Sequence, residues 1–233
     1  MTLLDQPTTT ALVPVAFDLY KDIHKAIRVE LFSATTEAAR LDPGAELDRA
    51  ALAAQVRDVV GFLVDHAEHE DGAIQPVLER ELPDLAERVE RDHHHLESWM
   101  EDLVSMAEEA VVAPASGARF AVHRLHLELA SFTSAYLAHQ DVEERVIMPA
   151  LEAAVGVPAV VEIHQAILAG IAPEDMARSL SLMFPAMNID DRTDLLRGMM
   201  AGAPPEVFQG VWGLVCSVLP PADLEPLAAR LGV

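Results

Sequence analysis

The sequence predicts an all-α protein: an antiparallel up-down-up-down four-helix bundle with a C-terminal extension of shorter helices. Three observations carry that expectation. Apolar residues recur at three- and four-residue intervals over long stretches rich in Ala, Leu, Glu and Arg, and no stretch alternates β-branched residues with period two. Prolines stand as punctuation between the periodic stretches. The connections between the first four long stretches are short, which makes successive helices antiparallel neighbours.

The first helix is expected from about residue 14, where Pro14 suits a first turn, to about 41, and "DPGAE" around Pro43 and Gly44 makes a turn. The second runs from about 47 to 80 and is broken by "LPDL" at Pro83. The third covers about 84–110 and ends at "VAPASGA" around Pro114 and Gly117; the fourth covers about 119–154. Pro76 and Pro149 fall near the ends of helices two and four, where a kink costs least. After Pro158 the helices shorten, to about 159–168, 174–184, 190–200, 206–219 and 222–231. The domain reading is a tail at 1–13, the bundle at 14–155 and the helical extension at 156–233. The extension is apolar and carries Met183, Met187, Met199, Met200 and Trp212, which suit extra core or the face of a homodimer, with a lid over a site as the sharper alternative.

Charge and composition exclude several functions. A formal net charge of −22 repels phosphates, so neither nucleic acid nor an anionic membrane is an expected partner. The start, "MTLLDQPTTT", lacks the basic flank and apolar stretch of a signal peptide, and "VFQGVWGLVCSVL" is too short and too interrupted to span a bilayer. A single cysteine rules out an internal disulfide, and a cytoplasmic address is expected. Cys216 itself is expected as a small buried packing residue. No GxSxG, CxxC or phosphate-cradling loop is present.

The informative feature is a repeated segment. "HAEHEDGAIQPVL" begins at His66 and "HQDVEERVIMPAL" at His139; both place Glu four residues on (Glu70, Glu143), Pro ten on (Pro76, Pro149) and Leu twelve on (Leu78, Leu151). A separation of four puts each His and Glu on one helix face, one turn apart. On the expected helices His24 and His66 are each roughly 25–30 Å from the turn between them, and His93 and His139 repeat that relation, so four histidines share one level. The stripes Tyr20, His24, Ile27, Leu31, Ala34 and His93, Leu96, Met100, Leu103, Ala107 have core spacing. Burying four imidazoles and two carboxylates unpaired would be ruinous, and divalent metal ions resolve that cost. Two metals sharing bridging carboxylates account for both Glu, and this donor set suits iron or manganese.

His24, "HAEHE", a histidine of "DHHHL" and "HQDVEE" together resemble the hemerythrin-like HHE cation-binding family over roughly residues 14–154. The resemblance implies a four-helix bundle holding two non-haem iron ions, with manganese sharing the ligands, that meets dioxygen, peroxide or nitric oxide. Its implied ligands are His24, His66, Glu70, one helix-three histidine, His139 and Glu143, with Glu70 and Glu143 bridging. In "DHHHLESWM" the apolar stripe selects His93, and His94 and His95 point elsewhere on the helix. In "HQDVEE" the parallel with Glu70 selects Glu143, whereas the five-residue spacing of oxygen-carrying hemerythrins selects Glu144. Those carriers have a second helix-three histidine where this chain has Glu97. An anionic ligand there favours ferric iron, and a surface Glu97 leaves a coordination position vacant; both lean towards chemistry or sensing rather than transport.

The only tyrosines, Tyr20 and Tyr136, lie one turn from His24 and His139. They are candidates to hydrogen-bond a bound oxygen species or donate an electron, against the plainer role of core packing; no other catalytic residue is assigned. His69, His123, His126 and His164 read as partly exposed residues. The expected function is a di-iron protein reacting with peroxide or dioxygen, for instance by catalase-like disproportionation in oxidative-stress defence. The alternatives are a module that binds O2, NO or iron reversibly while the tail relays occupancy, and a di-iron oxygenase with its substrate under the C-terminal helices.

Overall fold

A computed structural model describes residues 11–233, and residues 1–10 of the expected N-terminal tail lie outside the described residues. Among the described residues every regular element is helical. In chain order these are α1 (Lys21–Arg40), α2 (Glu46–Ala73), α3 (Gln75–Glu81), α4 (Pro83–Val112), α5 (Ala115–Val142), a π-helical turn (Glu143–Ile147), α6 (Met148–Val155), α7 (Val157–Gly170), α8 (Pro173–Ala186), α9 (Ile189–Gly202), α10 (Pro205–Val218) and α11 (Pro221–Leu231).

Three boundaries differ from the sequence expectation. The first helix starts at Lys21, not near Pro14. The Glu152 carboxylate accepts the backbone N–H of Ala16 at 2.8 Å and of Phe17 at 3.0 Å, and Asp18 Oδ1 accepts that of Tyr20 at 2.9 Å. Side-chain acceptors thus take donors that a helix would otherwise use. The expected second helix is two helices: α2 stops at Ala73 and α3 restarts at Gln75 with Pro76 in its first turn. The expected fourth helix is interrupted by the π turn, after which Pro149 sits in the first turn of α6. Proline lacks an N–H and collides with the carbonyl four residues back. One copy of the repeat answers that by breaking the helix and the other by widening it.

The described chain forms two compact units, one of residues 11–20 and Glu30–Gly170 and the other of Lys21–Val29 and Ile171–Val233. In the first, α4 packs against α2 and α5, and α7 packs along α2. The buried stripe of α4, Ala86, Val89, His93, Leu96, Met100, Leu103, Ala107 and Ala110, keeps helical spacing over its whole length. Each fully buried Leu or Phe on such faces contributes about 1.5–3 kcal/mol. Thr35 of α1 meets Thr133 of α5 at 3.1 Å, and Gln55 of α2 donates to Ser33 of α1 at 3.0 Å. Buried Arg49 donates to the carbonyls of Ala110 at 2.8 Å, Val111 at 3.3 Å and Pro43 at 2.6 Å, which satisfies the open C-terminus of α4. Gly156, with φ of 80°, makes the turn from α6 into α7 that a side chain would resist.

The second unit has its own core of Leu180, Phe184, Leu196, Val215, Leu219 and Leu227. Arg192 repeats the device of Arg49, donating to Phe184 O at 2.7 Å and Pro185 O at 3.3 Å while pairing with Asp223 at 2.9 Å. Asn188 caps α9 by accepting the N–H groups of Asp190 at 2.9 Å and Asp191 at 3.0 Å. Lys21 donates to Asp191 at 2.7 Å, and Lys25 pairs with the same carboxylate. Cys216 is exposed, against the expectation of a buried packer. α10 is apolar in composition, but its buried line passes through Val215, and the next residue lies about 100° around the helix. No single helix among the described residues is long and apolar enough to cross a membrane; one pair, Ala115–Val155 with Val157–Gly170, passes by length and composition but is bent by 115°.

Candidate metal centre

The repeat places its two His/Glu pairs at the ends of long helices. His66 and Glu70 occupy the last two turns of α2; His139 closes α5, and Glu143 is the first residue of the π turn. His93 comes from the middle of α4. His66 Nε2 lies 3.0 Å from Glu70 Oε1, and His139 Nε2 lies 3.1 Å from Glu143 Oε1. His93 Nε2 stands between the pairs, 3.5 Å from Glu70 Oε2 and 3.9 Å from Glu143 Oε1. Glu70, His93, His139 and Glu143, all buried, offer ligand atoms within 4.8 Å of one another.

The donor set fits a metal ion. Two atoms bound to one ion at about 2.1 Å stand at most about 4.2 Å apart, and each of the four pair distances above is below that ceiling. Imidazole nitrogen with carboxylate oxygen is the mixture that iron and manganese accept. The presence of a His/Glu cluster able to bind metal is therefore a property of the structure.

Burial and neighbouring charge compete at the cluster. Burial pushes His93 down, but a hydrogen bond to Asp71 and the carboxylates of Glu70 and Glu143 outweigh it and raise the imidazole to about 10. Burial also pushes His139 down, and Glu143 with Asp92 reverses that, raising it to about 9. His66 is raised in the same way, with Glu70 outweighing burial. Burial and then the charges of Glu70 and Glu143 push the phenols of Tyr20 and Tyr136 well above the usual tyrosine value, so both stay protonated. Tyr20, Glu70, Asp71, Ile74, Gln75, Leu78, Val89 and Glu143 surround a narrow crevice at the cluster, beside the break between α2 and α3.

Of the expected ligands, His66, Glu70, His93, His139 and Glu143 come together in the first unit. His24 is fully buried, on the segment of α1 that groups with the second unit. Among the three adjacent histidines, His93 is buried whereas His94 and His95 are exposed. Glu143 is 1% exposed and enters the cluster; Glu144 is only half-buried. Glu97 is exposed and stands 3.7 Å from His94. His69, His126 and His164 are half-buried and His123 is exposed.

Several residues at the site carried no signal in the sequence reading. Asp71 Oδ1 takes His93 Nδ1 at 2.9 Å, and Asp92 Oδ2 stands 3.9 Å from His139 Nδ1. The Asp71 carboxylate turns Nε2 of His93 towards the cluster, the arrangement that orients metal-binding imidazoles, whereas Asp92 acts on His139 only as a nearby charge. Their adjacency to Glu70 and His93 was the only available hint. Gln140, beside His139, is fully buried, and neither atom of its amide has a hydrogen-bond partner among the described residues.

Comparison with protein families returns a match to the hemerythrin HHE cation binding domain over residues 15–151. Comparison with curated proteins and with solved structures returns no match.

Proposed function

The chain belongs to the hemerythrin HHE cation-binding family, and from that premise we propose that it holds two non-haem iron ions and reacts with peroxide or dioxygen, disproportionating peroxide as a catalase does. The observation that carries the reading is the pair of buried His/Glu turns facing one another across His93. Bound ions would supply redox equivalents and a Lewis-acidic position for a small oxygen ligand.

The chain's own groups have defined tasks in this reading. Glu70 and Glu143 would be the shared carboxylates: Glu70 turns Oε1 to His66 and Oε2 to His93, whereas Glu143 presents Oε1 to both His139 and His93. His24, fully buried on α1, is the remaining ligand that the family pattern implies. Asp71 holds the ring of His93, and Asp92 places a negative charge near that of His139. The phenols of Tyr20 and Tyr136, kept protonated at the cluster, would be available to donate hydrogen bonds to a bound oxidant. With Glu97 on the surface, no second α4 side chain occupies the ligand position beside His93. Disproportionation converts two peroxides to water and dioxygen and needs no outside reductant. Manganese is the alternative metal.

A second reading, reversible binding of O2, NO or iron with the C-terminal helices reporting occupancy, has one supporting observation. The turns of α1 that carry His24 group with the C-terminal unit, where Lys21 and Lys25 flank His24 and pair with Asp191. Metal content and the visible spectrum, before and after adding peroxide to iron-loaded protein, separate the readings. Roughly two ions per chain, with absorption that fades and recovers as gas evolves, supports turnover. A lasting coloured adduct without gas supports the binding module, and iron lost on desalting sinks both.

A further inference from the structure

We propose that Trp99, Phe132 and Tyr136 form an aromatic relay that carries single electrons between the protein surface and His139. The proposal rests on the reading of His139 as a metal ligand. The rings follow one another without a gap: Trp99 to Phe132 at 5.7 Å, Phe132 to Tyr136 at 5.6 Å and Tyr136 to His139 at 5.8 Å between centroids. Such separations are those of rings in contact. Because electron tunnelling falls steeply with each added gap, a chain of touching π systems is far faster than one long jump. Phe132, Tyr136 and His139 are buried, whereas Trp99 is half-buried and its ring stands 5.8 Å from the exposed His95. The line therefore begins at solvent and ends at the cluster.

The residue types suit the task. Indole and phenol are the two side chains whose rings give up an electron most readily, and they occupy the two ends. Phe132 is too hard to oxidise to hold a charge itself and serves as the medium between them. Core packing alone explains three buried rings, but it does not require the oxidisable pair to bracket the inert ring on a path that ends half-exposed.

The electron balance closes. Were bound iron left one oxidising equivalent too high, it would take one electron from Tyr136, whose hydroxyl proton would pass to a carboxylate of the cluster. Trp99 returns an electron to Tyr136 through Phe132, and the proton comes back to the phenol. A small one-electron reductant of the thiol or enediol class then refills Trp99 at the surface. The net change is one electron from the external reductant to the centre, and Trp99 and Tyr136 end as they began.

The composition makes the test clean, since the chain has two tryptophans, Trp99 and Trp212, and two tyrosines, Tyr20 and Tyr136. In the metal-free protein, azide radicals generated by pulse radiolysis oxidise tryptophan first. The relay predicts that the tryptophanyl signal then decays into a tyrosyl signal at a rate independent of protein concentration. Tyr136→Phe, which keeps the ring, removes that phase; Phe132→Leu slows it at least several-fold; Tyr20→Phe and Trp212→Phe leave it unchanged. In iron-loaded protein treated with hydrogen peroxide, freeze-quench electron paramagnetic resonance should show an organic radical, and peptide mass spectrometry should show Trp99 oxidised well above Trp212. Tyr136→Phe should abolish the excess at Trp99 while metal content stays at the wild-type level. Absence of the intramolecular phase in the metal-free protein overturns the relay whatever the metal does. Its presence with no radical in protein that retains iron overturns the connection to the centre, and failure to retain iron overturns the function proposed above along with that connection.

Discussion

Replacing Asp71 by alanine removes the carboxylate that accepts from His93 Nδ1 at 2.9 Å and leaves the cluster's own atoms in place. His93 is the ring that faces both Glu70 and Glu143, so its orientation controls how well the two halves can share a cation. Loss of such an orienting partner typically lowers metal affinity about 10- to 100-fold, or about 1.4–2.7 kcal/mol. The Asp71 side chain is 45% exposed, so the metal-free protein should lose no more than about 1 kcal/mol of stability. Asp92 stands 3.9 Å from His139 Nδ1, beyond ordinary hydrogen-bond reach, and Asp92→Ala should cost less. The assay is competition for iron(II) or manganese(II) against a chelator of known affinity, with urea denaturation of the metal-free variants beside it. Proton resonances of His93 in the metal-free protein add an independent readout. Burial pulls this ring down and Asp71 is the largest upward influence on it, so in Asp71→Ala it should titrate well below its present value of about 10. Wild-type affinity in Asp71→Ala, or a larger loss in Asp92→Ala, would refute the argument.

Two further predictions concern the metal-free protein. His93 and His139 titrate near about 10 and about 9 when folded, against about 6.5 unfolded. Their contribution to stability is fully present below about pH 6.5 and is lost as pH rises through those folded values. Thermal unfolding should therefore occur at lower temperature at about pH 10 than at about pH 6.5 without metal, whereas metal affinity climbs over the same window because protons compete for the rings; a flat metal-free profile would contradict this. Gln140→Met replaces a buried amide that has no hydrogen-bond partner among the described residues by an apolar chain of similar length. Since an unsatisfied buried polar group costs about 1–3 kcal/mol, the variant should unfold at a higher urea midpoint, and a lower midpoint would show that the amide is satisfied in solution.

Much of the architecture follows from periodicity that any reader of the chain can count. The stripe from Ala86 to Ala110 on α4 is buried along its length because residues three and four apart share a helix face whatever the helix packs against. The same rule puts Glu70 one turn after His66 and Glu143 one turn after His139, and it separates His93 from His94 and His95. Local sequence was less informative where side chains far along the chain intervene. Glu152 takes the backbone donors of Ala16 and Phe17 and delays α1 to Lys21, and two prolines in matching positions produce a break in one copy and a π turn in the other.

The amino-acid sequence by itself determined the helical class, the doubled His/Glu turn and the residue types offered to a cation, since each depends on spacing within one helix. Only the tertiary structure decided that His93 stands between both carboxylates, that Asp71 steers its ring, and that Trp99 reaches His139 through Phe132 and Tyr136. Those meetings depend on how far α2, α4 and α5 slide and rotate against one another. That register is set by the packing of whole helix faces, in which no single residue's spacing has a deciding share.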